Sequence, residues 1–322
     1  MDALISIVAP LHNEEACLEG FYRTVKDVLA HLPVRHEFIF VDDGSKDRSA
    51  EILRELRRRD PSVRIVSFSR NFGHQVAIKA GIDHAAGDAL IIIDTDLQDP
   101  PAAIPKLIAK WREGYDVVYA VRASREGEGV FKRLTAACYY RLFRKLAEVD
   151  IPVDTGDFRL ISRRVADVMR QVREKSPYIR GLISWVGFAQ TGVSIERSGR
   201  FAGRTKYSVR RMLRLAWSGV THFSFLPLQL ATYLGAAAFL VSLAGVAAAL
   251  YARLVLHEAV SDRTLLVIAV TLMGAVQLVT LGIIGGYLAL TYDEARARPL
   301  YIVREKTGFD GEGGGGPSGQ NR

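Results

Sequence analysis

The sequence predicts an α/β domain built on a mostly parallel, doubly wound sheet, with amphipathic interfacial helices and two transmembrane helices after it. Three observations carry this expectation. Strand and helix signals alternate through residues 1–120, several strands end in acidic residues, and two long segments near the end carry no charge.

Leu4–Pro10, Glu37–Val41, Arg64–Ser69, Ala89–Asp94 and Asp116–Ala120 are short apolar runs that read as strands. Between them, Glu14–His31, Ser49–Arg59 and Gln75–Ala86 show helical amphipathic spacing. Asp47-Arg-Ser-Ala-Glu51 supplies acids and a hydroxyl near one helix start, and Pro33 and Pro61 punctuate helix ends. Such alternation forms βαβ units with parallel strands. Leu4-Ile-Ser-Ile-Val-Ala9 already reads as a first strand, so no signal peptide is expected ahead of it.

No charged residue occurs from Phe223 to Ala252, nor from Thr264 to Tyr292. About 20 apolar residues span a bilayer, so each segment is long enough for a tilted helix. Arg204, Lys206, Arg210, Arg211 and Arg214 precede the first segment; Arg296, Arg298, Arg304 and Lys306 follow the second. The connecting loop balances Arg253 and Arg263 against Glu258 and Asp262. By the positive-inside rule both termini face the cytoplasm. Two cysteines, Cys17 and Cys138, are too few for a disulfide framework and fit a reducing compartment.

The net charge of +8 is concentrated in two segments. Arg122–Lys145 holds seven basic and two acidic residues, and Glu196–Arg214 holds seven and one. Beside a membrane, the natural anionic partners are lipid head groups and lipid phosphates, so no nucleic-acid partner is expected. Phe131–Leu146 and Tyr207–Val220 have helical spacing with basic faces, as suits helices lying in the interface plane.

The acids point to chemistry. The fourth strand runs into Asp94-Thr-Asp96, followed by Gln98-Asp-Pro100; the first ends at Ala9-Pro-Leu-His-Asn-Glu-Glu15 and the second at Val41-Asp-Asp-Gly-Ser45. Parallel strands bring these ends to one edge, where open α/β sheets bind ligands. Carboxylates held close repel unless a cation lies between them, and Mg²⁺ or Mn²⁺ favours oxygen ligands shared with phosphates. The Gly-rich turns of dinucleotide and phosphate-loop folds are absent from the sequence, so a metal is the expected means of neutralising a nucleotide's phosphates.

Val41-Asp-Asp-Gly-Ser45, Asp94-Thr-Asp96, Gln98-Asp-Pro100 and Gly156-Asp-Phe-Arg159 together resemble glycosyltransferase family 2, and within it the polyprenyl-phosphate glycosyltransferases. Phe68-Ser-Arg-Asn-Phe-Gly73, Trp185-Val-Gly-Phe188, Arg200-Phe-Ala-Gly-Arg-Thr-Lys206 and the two apolar segments extend the match to about residue 305. The resemblance implies a GT-A, Rossmann-like fold and inverting transfer of one sugar from a nucleotide-sugar donor, with a UDP-sugar favoured, to polyprenyl (undecaprenyl) phosphate. Carried over by position, Pro10, Glu14, Asp42, Asp94 and Thr95 contact the donor, and Asp94, Asp96 and Gln98 hold Mg²⁺ or Mn²⁺. Asp157 is the carboxylate beside the acceptor, either taking a residual proton or orienting the acceptor; the plain alternative is a loop carboxylate paired with Arg159. Arg122, Arg133, Thr135, Arg200 and Lys206 match positions around the lipid phosphate. His12 and His74 are set aside as bases.

The expected layout is a cytoplasmic glycosyltransferase domain over 1–205, a juxtamembrane helix over 206–222, and spans at 223–252 and 264–292. A cytoplasmic tail, 293–322, completes it, disordered from about 311. The resemblance further implies a multi-pass protein of the inner membrane and a homo-oligomer, with tetramer one option. A separate flippase and a downstream glycosyltransferase are expected partners. A processive polysaccharide synthase would want more spans and a Gln-x-x-Arg-Trp-type motif; a non-catalytic scaffold would be expected to have lost the strand-end acids.

Overall fold

A computed structural model describes residues 2–122, 155–175, 177–195 and 261–309, with parts of 233–255. The chain divides into two units. One comprises Met1–Tyr140, Val149–Lys206 and Pro299–Arg322; the other comprises Arg141–Glu148 and Tyr207–Arg298.

In the first unit the strands are β1 (Leu4–Leu11), β2 (Arg35–Asp42), β3 (Val63–Phe68), β4 (Ala89–Ile92), β5 (Val117–Arg122), β6 (Thr155–Ser162), β7 (Gln190–Ile195) and β8 (Val303–Thr307). The helices are α1 (Leu18–Ala30), α2 (Ser49–Arg59), α3 (His74–His84), α4 (Ile104–Arg112), α5 (Arg163–Gln171) and α6 (Ile179–Trp185). All eight strands share one sheet in the order β7-β5-β6-β4-β1-β2-β3-β8.

The core follows from spacing. On α1, Leu18, Phe21, Val25 and Leu29 recur on one face and are buried. Phe21 meets Phe40 of β2 edge to face at 6.2 Å, and Phe40 stacks on Phe38 at 5.8 Å. Burying each such side chain contributes about 1.5–3 kcal/mol. Every residue of β4 is buried, as a central strand covered on both faces requires.

The α/β expectation holds, and the five expected strands and three expected helices are present with small boundary shifts. The sheet, however, is mixed. β1–β2, β1–β4, β2–β3 and β5–β7 are parallel, whereas β4–β6, β5–β6 and β3–β8 are antiparallel. β6 enters between β4 and β5 and reverses the strand direction there. Strand pairing is a non-local choice that apolar spacing does not encode.

β8 lies within the segment 293–322 expected as a tail, where no strand was foreseen. Arg304, Glu305 and Lys306 are exposed along this edge strand, a charge pattern that protects sheet edges and hides the strand from a hydropathy reading. Ser69 N donates to Ile302 O at 3.0 Å, Tyr301 stacks on Phe68 at 5.0 Å, and its hydroxyl reaches Asp83 Oδ2 at 3.1 Å.

In the second unit, one helix runs over Asp262–Ala295. Its segment Leu272–Tyr292, 21 residues of mean hydropathy 1.7, is long and apolar enough to cross a membrane, and none of it is buried. Leu278 and Leu288 are exposed, as on a candidate membrane helix. Two such helices were expected; among the described residues there is one. Part of the segment 223–252 is described, as the shorter apolar helix Tyr233–Gly245. The expected basic helices over 131–146 and 207–220 lie outside the described residues.

Candidate active site

The carboxyl ends of β1, β2 and β4 converge because the three strands are parallel and in register: Leu11 pairs with Asp42, and Val8 with Ile92. A cleft of about 280 Å³ opens at this edge. Pro10 and Leu11 line it from the end of β1, His12 and Glu14 from the loop that follows, and Asp94, Thr95 and Asp96 from the loop after β4. Asp43 closes it from β2, and Asn71, Gly73, His74 and Ala77 from the loop before α3 and its first turn.

The Asp-Asp-Gly-Ser motif divides its labour. Asp42 is fully buried and lies behind the cleft wall, its Oδ1 accepting from Ser45 N at 2.8 Å. Its Oδ2 finds no hydrogen-bond partner among the described residues. Asp43, one residue further, is the motif's lining carboxylate. It accepts from Phe72 N at 2.6 Å and Gly73 N at 3.0 Å, joining β2 to the loop before α3. Burial pushes its pKa up, against these two hydrogen bonds. Gly44 has φ +67°, and a Cβ there would meet the Arg70 carbonyl carbon at 2.5 Å, so only glycine fits.

The cleft loops hold two non-glycine residues in the left-handed region, Asn13 (φ 57°) and Leu97 (φ 56°). Asn13 is secured by Ser45 Oγ, which accepts from its backbone N–H, and by Lys46 N, which donates to its Oδ1. Leu97 permits the reversal in which Gln98 donates to Asp96 twice, from its backbone N at 3.0 Å and from Nε2 at 2.6 Å. Gln98 thus holds Asp96 in place and does not itself line the cleft. Strain of this kind persists where surrounding contacts enforce it.

β6 delivers Asp157. Ile92 pairs with Arg159 as the last pair of the antiparallel β4–β6 ladder, and just past it Asp94 and Asp157 bring carboxylate oxygens within 4.8 Å of one another. Asp157 is 6% exposed and is gripped by Arg180 of α6, which donates from Nε at 2.7 Å and from Nη2 at 2.9 Å. His74 Nε2 adds a bond of 3.1 Å. Burial pushes the Asp157 pKa up, yet the bonds from Arg180 and His74 outweigh it and hold the carboxyl well below its usual range. The partner is therefore Arg180 and not Arg159, whose buried guanidinium donates to Gly156 O at 2.8 Å.

Asp94 is the opposite case. Burial, opposed by His74 and reinforced by Asp157, Asp96 and Asp99, pushes its pKa up to about 7. Its Oδ1 lies 3.5 Å from His74 Nε2 and makes no hydrogen bond among the described residues. The pKa of Glu14 is also raised, first by burial and then by Asp96 and Asp47. This cleft concentrates negative charge beside an orphaned carboxylate oxygen, an environment that fits a hard divalent cation. His74, Asp94 and Asp157 each offer a ligand atom within 4.8 Å of the others.

His74 was set aside by sequence reasoning, and the structure returns it as a bridge between two carboxylates. Burial lowers its pKa, but Asp157 and Asp94 raise it more, which favours a cation over a base. His12 Nδ1 donates to Asp43 O at 2.8 Å and its Nε2 meets Asn13 Nδ2 at 3.1 Å. Arg180 and Gln75 were missed because the sequence alone does not reveal that α3 and α6 meet at β6. Arg122 ends β5 and is absent from the cleft lining. Arg133, Thr135, Arg200 and Lys206 lie outside the described residues.

A sheet whose parallel strands end on a buried, cation-seeking carboxylate cluster belongs to the α/β enzymes that bind ligands at the carboxyl edge. Residues 6–170 match Glycosyl transferase family 2, and the chain belongs to that family. It is 48% identical over 305 residues to the glycosyltransferase YkcC of Bacillus subtilis, covering 95% of this chain and 94% of that one. It is 39% identical over 302 residues to the bactoprenol glucosyl transferase of Shigella phage SfV, covering 94% of this chain and 98% of that one. Among solved structures, mannosyl-3-phosphoglycerate synthase from Rubrobacter xylanophilus is similar over 68% of this chain and 72% of that one, at 19% identity and a TM-score of 0.47. The chain is a glycosyltransferase related to the bactoprenol glucosyl transferases over nearly its full length.

Proposed function

We propose that this protein transfers a single sugar, with inversion, from a nucleotide-sugar to polyprenyl phosphate at the cytoplasmic face of the membrane. The observation that carries this reading is the likeness to bactoprenol glucosyl transferases, which covers 94% of the chain. By that likeness, UDP-glucose is the first donor to test and undecaprenyl phosphate the first acceptor.

Pro10, Glu14, Asp94 and Thr95 would hold the donor, with Asp43 in the lining place expected of Asp42. Asp94 and Asp96 would hold Mg²⁺ or Mn²⁺, with Gln98 fixing Asp96. When bound, the ion stabilises negative charge on the leaving diphosphate as a Lewis acid. The acceptor phosphate oxygen forms a bond to the anomeric carbon as the bond from that carbon to the nucleotide's phosphate breaks. A phosphate monoester, with a second pKa near 6, is already largely deprotonated and needs no strong base. Asp157, held ionised by Arg180 and His74, suits orienting the acceptor better than taking its proton. Arg122, Arg133, Thr135, Arg200 and Lys206 are proposed for the lipid phosphate, whose oxygens suit forked guanidinium groups.

β8 supports a membrane hairpin. It pairs with β3 in the same sheet as β7, an arrangement that suits a chain entering and leaving its membrane region on one side. We assign the crossings to 223–252 and 264–292, with the catalytic domain cytoplasmic by the flanking positive charge.

The test offers sugar nucleotides to the detergent-purified protein with undecaprenyl phosphate and Mg²⁺ or Mn²⁺, and weighs the lipid by mass spectrometry. A gain of one sugar mass, lost on chelation, is expected. Donor binding without lipid glycosylation would redirect the search to another acceptor.

A further inference from the structure

We propose that Arg180, assisted by Gln75, is a positioning residue that fixes the orientation of Asp157, resting on the reading that Asp157 stands beside the acceptor. Three separate elements meet at this one carboxylate. β6 carries Asp157, α6 brings Arg180 as its second residue, and α3 contributes His74 and Gln75 from its first turn.

The guanidinium engages both oxygens, Nε with Oδ1 at 2.7 Å and Nη2 with Oδ2 at 2.9 Å. A two-point fork sets the plane of the carboxylate as well as its place. Gln75 holds the assembly from behind. Its Oε1 accepts from Ile179 N at 3.1 Å, satisfying a first-turn N–H of the helix that carries Arg180. Its Nε2 makes a longer contact of 3.5 Å with Asp157 Oδ2. The same amide therefore spans the helix start and the carboxylate.

A carboxylate this buried needs such a partner. Left alone it would take a proton or turn toward solvent, because an unpaired buried charge is costly. Asp94, in the loop just after β4, shares His74 with Asp157. A merely structural ion pair would do none of this in a step-specific way. Removing one lowers stability without singling out turnover.

The test uses the full-length protein in detergent, with undecaprenyl phosphate and UDP-glucose or whichever donor the wild type accepts. Arg180→Ala is expected to lower kcat about 10²-fold, the scale of a misplaced reacting geometry, with the KM for donor nearly unchanged. Arg180→Lys keeps the charge but not the fork, and should recover only part of that loss. Methylguanidine added to Arg180→Ala should restore part of kcat, and none in Asp157→Asn. On the Asp157→Asn background, Arg180→Ala should cause little further loss, since the two act as one unit. Should Arg180→Ala fold poorly, Gln75→Leu is expected to show the same split, a lower kcat at unchanged donor KM, to a smaller degree. Wild-type kcat in the Arg180 or Gln75 variants, losses that multiply with Asp157→Asn, or a matching rise in donor KM would overturn the proposal. Transfer by the wild type with an indifferent Arg180 sinks this inference alone; absence of transfer by the wild type sinks the functional reading and this inference with it.

Discussion

Asp94 and Asp157 share His74 between them, just past the last pair of the β4–β6 ladder, and are driven in opposite directions. Burial among other carboxylates pushes Asp94 up to about 7. Arg180 and His74 hold Asp157 well below the usual range. The pair thus separates a carboxylate that gains from a cation from one whose charge is already balanced.

The first prediction concerns the cation. Asp96→Asn should abolish transfer, and EDTA should do the same to the wild type, with Mg²⁺ or Mn²⁺ restoring activity. Gln98→Ala keeps the backbone N–H but removes the Nε2 donor to Asp96 Oδ2, and should weaken the metal's apparent affinity about 10–100-fold, the usual effect of losing an outer hydrogen bond to a ligand. Metal titrations of activity measure both, and unchanged metal dependence in Gln98→Ala would count against this assignment.

Asp60 gives a pH-dependent stability. It is nearly buried and accepts from Tyr22 Oη at 2.6 Å, Lys26 Nζ at 2.7 Å, and Ser62 N and Oγ at 2.8 and 2.7 Å. Burial raises its pKa, but these bonds lower it far more. A folded-state pKa below the unfolded value means the stabilisation is complete above about pH 4 and fades as pH falls toward the folded value. Asp60→Asn should cost about 1–3 kcal/mol near neutrality, with the gap to wild type narrowing below about pH 4. Thermal unfolding at pH 7 and pH 3 reads this directly.

Tyr301 ties the chain just before β8 to Phe68 of β3 and Asp83 of α3. Tyr301→Phe keeps the stack on Phe68 and loses only the bond to Asp83, so about 1 kcal/mol is expected. Tyr301→Ala loses both and should cost about 2–3 kcal/mol. Phe68 meets Phe72 edge to face at 5.6 Å, and Phe72 N donates to Asp43, so the alanine variant should also weaken donor binding. Equal donor affinity in all three proteins would show that β8 serves the fold alone.

Gly44→Ala meets two penalties at once, a positive φ and a backbone contact at 2.5 Å. It should destabilise the domain by more than about 1 kcal/mol and reduce nucleotide binding, because Asp43 next to it closes the cleft. Calorimetric unfolding and nucleotide titration of the same preparation test the two effects together.

The sequence by itself determined the parts of the protein set by local pattern. Apolar runs placed β1–β5, and parallel βαβ units bring their ends to one edge, so the pattern along the chain alone places Glu14, Asp94 and Asp96 in one cleft. The helix over Leu272–Tyr292 was legible because uncharged length is a local property. What only the tertiary structure decided depends on partners distant in sequence. The insertion of β6 between β4 and β5 sets Asp157 against Asp94, and the meeting of α3 with α6 supplies His74, Gln75 and Arg180. The single-residue step from Asp42 to Asp43 decides which acid faces the cleft, since adjacent strand residues point to opposite faces. β8 was hidden because an exposed edge strand is charged and shows no apolar run. Pairing partners and register are fixed by packing and sheet order, and spacing along the chain carries no record of them.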